Sequence, residues 1–235
     1  MATVRPLLYG RPFQTTYGIV GYSSVVLVED EDKKILFDCG NRSCSIQLKE
    51  ALQQAGVCPE DITDVVVSHL HFDHVGNLPL FKRARILMSE TEWEVSGEGP
   101  DEYHCIATRE YIRSAGHFSF LGEGDRVTSG ISVLSLPGHT LGLIGLKCDT
   151  EDGTVVLCSD AVKNRFELWD GVKPMSVDYE KSSESFSRIL SLADIIIPGH
   201  DCPLDLRSKD PGPLQIRIRW ADGSMQDVSR DPVSR

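Results

Sequence analysis

Four potential metal ligands are packed into six residues in the run His69-Leu70-His71-Phe72-Asp73-His74, and few features restrict a fold as tightly. Neutral imidazole and carboxylate are the donor types that suit zinc and related ions. Burying three imidazoles and a carboxylate in one loop with no ion would leave several polar groups to satisfy. Four donors from so short a loop cannot all converge on one ion if further donors also enter. The run therefore asks for two adjacent ions, with His69 and His71 on one and Asp73 and His74 on the other. A fold that hosts it must bring the remaining donors in from elsewhere in the chain.

Those donors stand at strand exits. Residues 64–67 read as a strand buried on both faces, because the apolar run is β-branched and does not alternate, and it ends at Ser68 and His69. His139 follows a strand expected at 131–136, Asp160 one at 154–158, and His200 one at 194–197. Five of the seven histidines thus lie at strand ends; the other two, His104 and His117, do not. A lone histidine in such a place is more often structural than a ligand. The six-residue cluster reverses those odds for the set.

Around these segments the pattern is that of one α/β domain over residues 1–210, and a hydrophobic content of 40% supplies a full core. Residues 25–29 and 34–38 flank an acidic turn as a hairpin. Residues 45–55 carry Ile46, Leu48, Ala51, Leu52 and Ala55 at helical spacing before Gly56. Further strands are expected at 85–88 and 143–148, and an amphipathic helix at 181–192. Residues 92–120, with two helical stretches and a Gly-rich gap, read as an insertion near the site. The segments before His69 and His200 echo each other, an indication of two similar halves whose strand ends face one crevice. Residues 211–235 form a tail in which Leu214, Ile216, Ile218 and Trp220 alternate as an edge strand, before a polar end from Ala221.

A net charge of -11 disfavours nonspecific attraction to phosphate backbones. Seven cysteines with no close pair fit reduced thiols in a cytoplasmic protein. No run is long and apolar enough for a membrane span, and residues 1–9 lack a secretory signal pattern, so a soluble, unprocessed chain is expected. A homodimer through residues 92–120 or the tail strand is a further expectation.

The HxHxDH run, followed in order by a histidine, an aspartate and a last histidine, resembles the metallo-β-lactamase fold superfamily over residues 24–202. The resemblance implies an αβ/βα sandwich of two mixed β-sheets flanked by helices, with the ions in the cleft between the sheets. It implies that Asp160 bridges the ions and that Asp38, in Leu36-Phe37-Asp38-Cys39-Gly40, supports the ligand loop. Two zinc ions are expected, with iron or manganese as alternatives, and hydrolysis by a metal-bound hydroxide that Asp73 orients or deprotonates.

The best-known β-lactamases of this superfamily place a cysteine where this chain has Asp160. An aspartate bridge is similar instead to the glyoxalase II, lactonase and nuclease branches, and residues 69–77, 159–161 and 199–201 are similar to acyl-homoserine lactonases, which favours a small-molecule lactone or other carboxylic ester as substrate. Those enzymes carry a tyrosine three residues beyond the aspartate, where this chain has Lys163, either an electrophilic contact or a solvated lysine. Residues 76–81 and 193–200 also resemble the MBLAC1-type proteins of animals, which implies the alternative, a phosphodiesterase or endoribonuclease acting on RNA. Arg109, Arg113, Lys163 and Arg165 would then line a groove. A third reading, structural metals and a partner-binding surface, fits poorly with seven donors and a carboxylate bridge, since structural zinc is usually four-coordinate and mononuclear.

Overall fold

The computed structural model describes residues 1–97, 103–171, 175–208, 217–219 and 224–227. β1 (Thr3–Leu8) is followed by a small hairpin, β2 (Gln14–Thr15) with β3 (Gly18–Ile19), and then by the hairpin β4 (Val25–Asp30) and β5 (Lys33–Phe37). Helix α1 (Ser45–Gln54) crosses to β6 (Asp64–Val66), which pairs parallel to β5. Past the short helix α2 (Phe72–Val75) come β7 (Arg85–Met88), α3 (Glu90–Val95), α4 (Ile106–Ala115) and β8 (Phe118–Phe120). These strands make a mixed six-stranded sheet in the order β1-β4-β5-β6-β7-β8.

The second sheet has the same number of strands. β9 (Arg126–Thr128), β10 (Ile131–Ser135), β11 (Ile144–Thr150) and β12 (Gly153–Ser159) pair antiparallel, each with the next. After α5 (Arg165–Asp170) and α6 (Tyr179–Leu192) the chain enters β13 (Ile195–Pro198), parallel to β12, and closes with β14 (Leu204–Asp205). The order is β14-β13-β12-β11-β10-β9.

Strand alternation explains the layers. In β4, Val26 and Val28 face the second sheet and pack with Val133, Leu146 and Leu157, whereas Val25 and Leu27 face the helices and pack with Leu48 and Leu52 of α1 and Ile112 of α4. All four valine and leucine positions are fully buried, as a strand covered on both faces requires. On the far side Val156, Cys158 and Ile196 pack with Ile189 of α6. The αβ/βα sandwich of two mixed sheets expected from the sequence is the architecture observed. Among the described residues no helix is long and apolar enough to cross a membrane.

Four details differ from the sequence reading. Ile46 is 67% exposed, so α1 buries Leu48 and Leu52 but not its first apolar residue. Helix α6 begins two residues earlier than expected, because Asp178 caps it by accepting from the Lys181 N–H. The expected insertion ends inside the sheet: β8 pairs parallel to β7 once α4 has stopped at Gly116, whose φ of 73° ends the helix. Residues 98–102, in its Gly-rich gap, lie outside the described residues. Of the expected edge strand, Leu214, Ile216 and Trp220 also lie outside them. Ile218 belongs to β15 (Arg217–Arg219), which pairs with β16 (Met225–Asp227) in a hairpin separate from both large sheets.

Candidate metal centre

β5 and β6 run the same way in the first sheet, and β10, β12 and β13 run the same way in the second. Asp38, His69, His139, Asp160 and His200 all lie beyond the C-terminal ends of these strands. That placement follows the general rule for open α/β sheets, and it brings all seven sequence-predicted donors together. They form three overlapping groups whose ligand atoms lie within 4.8 Å of one another: His69, His71 and His139; His69, His74 and Asp160; Asp73, His74 and His200.

Asp160 stands between the two outer groups. Its Oδ2 is 3.4 Å from His139 Nε2, while Oδ1 is 3.4 Å from His74 Nε2 and 3.3 Å from His200 Nε2. On the other side of His200, Asp73 Oδ2 is 3.4 Å from Nε2. Gly199 makes this approach possible, since a Cβ there would collide with Asp160 Oδ1.

Three of the rings are held from behind. The Nδ1 of His139 is 2.8 Å from the Met175 carbonyl, that of His200 is 3.1 Å from the Tyr22 carbonyl, and that of His74 is 2.8 Å from Asp38 Oδ2. Anchoring one ring nitrogen aims the other inward, the usual arrangement for a metal-binding imidazole. Asp38 does more than hold His74: Oδ1 accepts from the Ser68 N–H at 2.8 Å, and Oδ2 accepts from the hydroxyls of Ser68 and Ser159 at 2.8 and 3.1 Å. Its φ of 55° and that of Ser159, 47°, are left-handed values that side-chain-bearing residues seldom adopt.

The residues present fit a pair of ions. The Nε2 atoms of His69 and His74 and the Oδ1 of Asp160 are buried and make no hydrogen bond; the short distances from Oδ1 to His74 and His200 are ionic contacts without hydrogen-bond geometry. Leaving such atoms empty-handed costs about 1–3 kcal/mol each. Charge within the cluster is uneven. Burial, reinforced by the neighbouring imidazoles, pushes the pKa of His69 well below the ordinary histidine value. Burial also takes His139 down to about 3. Burial acts the same way on His74 and His200, but nearby carboxylates outweigh it, chiefly Asp73 and Asp38 at His74 and Asp160 at His200, and raise both. Asp160 resists burial through those imidazoles and is held well below the usual carboxylate range. On one side of the centre burial pushes His69 and His139 down, and on the other the carboxylates of Asp38, Asp73 and Asp160 stand close to His74 and His200.

A cavity of about 620 Å³ opens over the cluster, with Phe13, Ile19, Phe72, Leu141, Met175 and Val177 among its walls. Lys163 lines it too. It is buried, with Nζ 3.5 Å from Glu167 Oε1, so it is not the solvated lysine that the sequence allowed. The basic groove that the RNA alternative calls for is not formed by Arg109, Arg113 and Arg165. Arg165 is buried against Asp201, with Nη2 2.7 Å from Oδ1. Arg109 lies over the Trp93 ring at 4.2 Å and donates to the Trp93 carbonyl, and Arg113 pairs with Glu110. Each guanidinium found an acid or an aromatic face close by in the fold, which satisfies it better than an open groove.

Sequence reasoning missed Glu92, which is fully buried and accepts hydrogen bonds from the Leu70 N–H and the Thr140 hydroxyl. It also missed His104, which lines the cavity with its ring 5.1 Å from that of His71. The signal for Glu92 was an acid at the third position after Ser89, where it reads as a helix-start residue. Nothing in the sequence placed His104 beside His71. All seven cysteines are free, and none belongs to the donor groups.

A family model described as the metallo-beta-lactamase superfamily matches residues 18–200. The chain is 35% identical to metallo-beta-lactamase domain-containing protein 1 of Xenopus laevis over 170 residues, 72% of this chain and 66% of that protein. It is 31% identical to the N-acyl homoserine lactonase of Bacillus thuringiensis over 159 residues, 64% of this chain and 60% of that one. The chain therefore spans slightly less than two thirds of the length of these relatives. Among solved structures, a Thermotoga maritima protein of the metallo-beta-lactamase type superposes with a TM-score of 0.72 at 25% identity, covering 87% of this chain and 99% of that one.

Proposed function

Because the chain belongs to the metallo-beta-lactamase superfamily, we propose that it is a dinuclear metallohydrolase acting on a lactone or other carboxylic ester. His69, His71 and His139 would hold one ion and Asp73, His74 and His200 the other, with Asp160 facing both groups. Zinc suits these donors; iron and manganese are the alternatives. When bound, such a pair lowers the pKa of water and polarises a carbonyl oxygen.

The chain's own groups supply the rest. Asp73 lines the cavity, orients the attacking water and takes up its proton on a carboxylate oxygen. Lys163 donates from Nζ to the oxygen on which charge develops. The walls around Phe13, Phe72, Leu141 and Met175 take the apolar body of the substrate and exclude water from the reacting bond.

The lining of the cavity carries the choice of substrate. Lys163 is the only lysine or arginine among the described residues that form it, and the walls are largely apolar. A phosphodiester of RNA would be better served by several cations and stacking rings. The test is a panel of lactones, aryl esters, thioesters, a bis-aryl phosphodiester and short single-stranded RNA, given to wild type and His71→Ala side by side. Turnover of lactones or esters by wild type, with at least a ~10³-fold loss in the variant (about 4 kcal/mol of barrier), is expected. Cleavage of RNA or the phosphodiester alone replaces this reading with the nuclease one. Metal analysis of protein purified without added metal should find two zinc per chain; a single iron would overturn the hydrolytic assignment.

A further inference from the structure

Glu92 is a fully buried carboxylate on α3, and a place in the first turn of a helix does not account for it. Ser89 already caps the helix by accepting from the Glu92 N–H at 3.0 Å. The carboxylate reaches out of the helix. Oε1 accepts from the Leu70 N–H at 2.9 Å and stands 3.4 Å from His104 Nε2, and Oε2 accepts from the Thr140 hydroxyl at 2.7 Å. Taking a carboxylate out of water is costly, and partners such as these offset the cost only when each is well placed.

The partners share a location. Leu70 lies between His69 and His71, Thr140 follows His139, and the His104 ring packs on that of His71. The loop after His139 is seated on the same helix end. Ser89 Oγ donates to the Gly142 carbonyl at 2.5 Å, and a Cβ on Gly142 would collide with the backbone of Glu92. Across this junction His71 Nδ1 and His139 Nε2 come within 3.1 Å of each other. Asp73, His74 and His200 are held by other means, through Asp38 and the Tyr22 carbonyl in the case of the two histidines.

We infer that Glu92 is a positioning residue for one metal position only, that of His69, His71 and His139: it clamps the loop carrying His69 and His71 to the loop carrying His139. The inference rests on the dinuclear reading above. A carboxylate is not needed for its charge in this role. Glutamine can still accept from Leu70 and can donate its amide to the Thr140 oxygen, whereas leucine can do neither.

Zinc binding, titrated against a chromophoric chelator, separates the possibilities. Wild type is expected to bind two ions. In Glu92→Leu one dissociation constant rises about 10–100-fold, as for loss of other groups that orient ligands, and the second stays within about threefold. Glu92→Gln stays close to wild type in both. Combined with His200→Ala, which disables the other position, Glu92→Leu removes the remaining ion; combined with His139→Ala it adds little. Should Glu92→Leu fail to fold, Thr140→Val removes one clamp contact and is expected to weaken the same single ion by a smaller factor. Equal weakening of both ions, no weakening of either, or failure of Glu92→Gln to rescue overturns the inference. A wild-type chain that binds fewer than two ions overturns the dinuclear reading itself, and this inference with it.

Discussion

In the first sheet the hairpin β4–β5 passes through α1 into the parallel strand β6; in the second, the hairpin β11–β12 passes through α5 and α6 into the parallel strand β13. The exits correspond. β5 turns out through Asp38 and β12 through Ser159, both with left-handed φ, and β6 and β13 lead to His69 and His200. Their contents differ. The first half delivers four donors in one six-residue run, fixed locally by α2 and by Asp38 beneath it. The second delivers His139, Asp160 and His200 singly, each from a different strand end, so their geometry depends on how three strands and their loops are registered. A clustered site is robust to distant change. A dispersed one passes every shift of the sheet on to the chemistry.

Substitutions in each half test that contrast. The largest effect is expected from Asp160→Ala, because this second-half residue is the one donor facing both outer groups. Activity should fall by roughly 10³-fold or more and bound metal from two ions to one or none, measured by turnover and metal analysis. Retention of both ions would mean that the clustered half holds them unaided. Next comes Gly199→Ala, which places a methyl where Asp160 Oδ1 now lies. Displacing a reacting group by an ångström costs about 10²-fold, so turnover should drop by that order while the melting temperature moves only a few degrees. A matching perturbation in the first half, Asn77→Ala, removes the amide that donates to the buried Cys39 carbonyl and to the half-buried Asn41 carbonyl. It should therefore lower stability by about 1–3 kcal/mol and affect turnover less than Gly199→Ala does. The smallest effect is at one of the ties between the halves, the 2.8 Å contact of the Ser68 and Ser159 hydroxyls. A double-mutant cycle of Ser68→Ala and Ser159→Ala should give a coupling of about 0.5–1.5 kcal/mol by denaturant unfolding; a value near zero would show that the other contacts across the halves, such as Asp38 with Ser159, carry the coupling.

The same contrast accounts for what was legible in the sequence. The clustered run could be read because so many imidazole and carboxylate donors in one loop are hard to satisfy without an ion. The dispersed donors could be read because each follows an apolar strand, and strand runs such as 85–88 are locally encoded. What could not be read was long-range satisfaction. Lys163 looks solvated until α5 brings Glu167 beneath it, and Arg165 looks like a groove cation until Asp201 arrives from 36 residues away. Glu92 looks like a surface helix acid until the loop after His139 docks on it. β1 passed unassigned because Pro6 interrupts it, which an edge strand tolerates and a sequence pattern does not reveal.

The free cysteines turn this architecture into something practical. Burial pushes the thiols of Cys39 and Cys158 well up and that of Cys148 to about 12, leaving them almost wholly protonated and poorly nucleophilic at neutral pH. Cys58 is the only exposed one, in the connection from α1 to β6, at the opposite end of β6 from His69. One equivalent of a maleimide dye should therefore react first at Cys58, remote from the cavity, with the half-buried Cys105 and Cys202 as slower sites, giving a fluorescent reporter with no engineering of the chain.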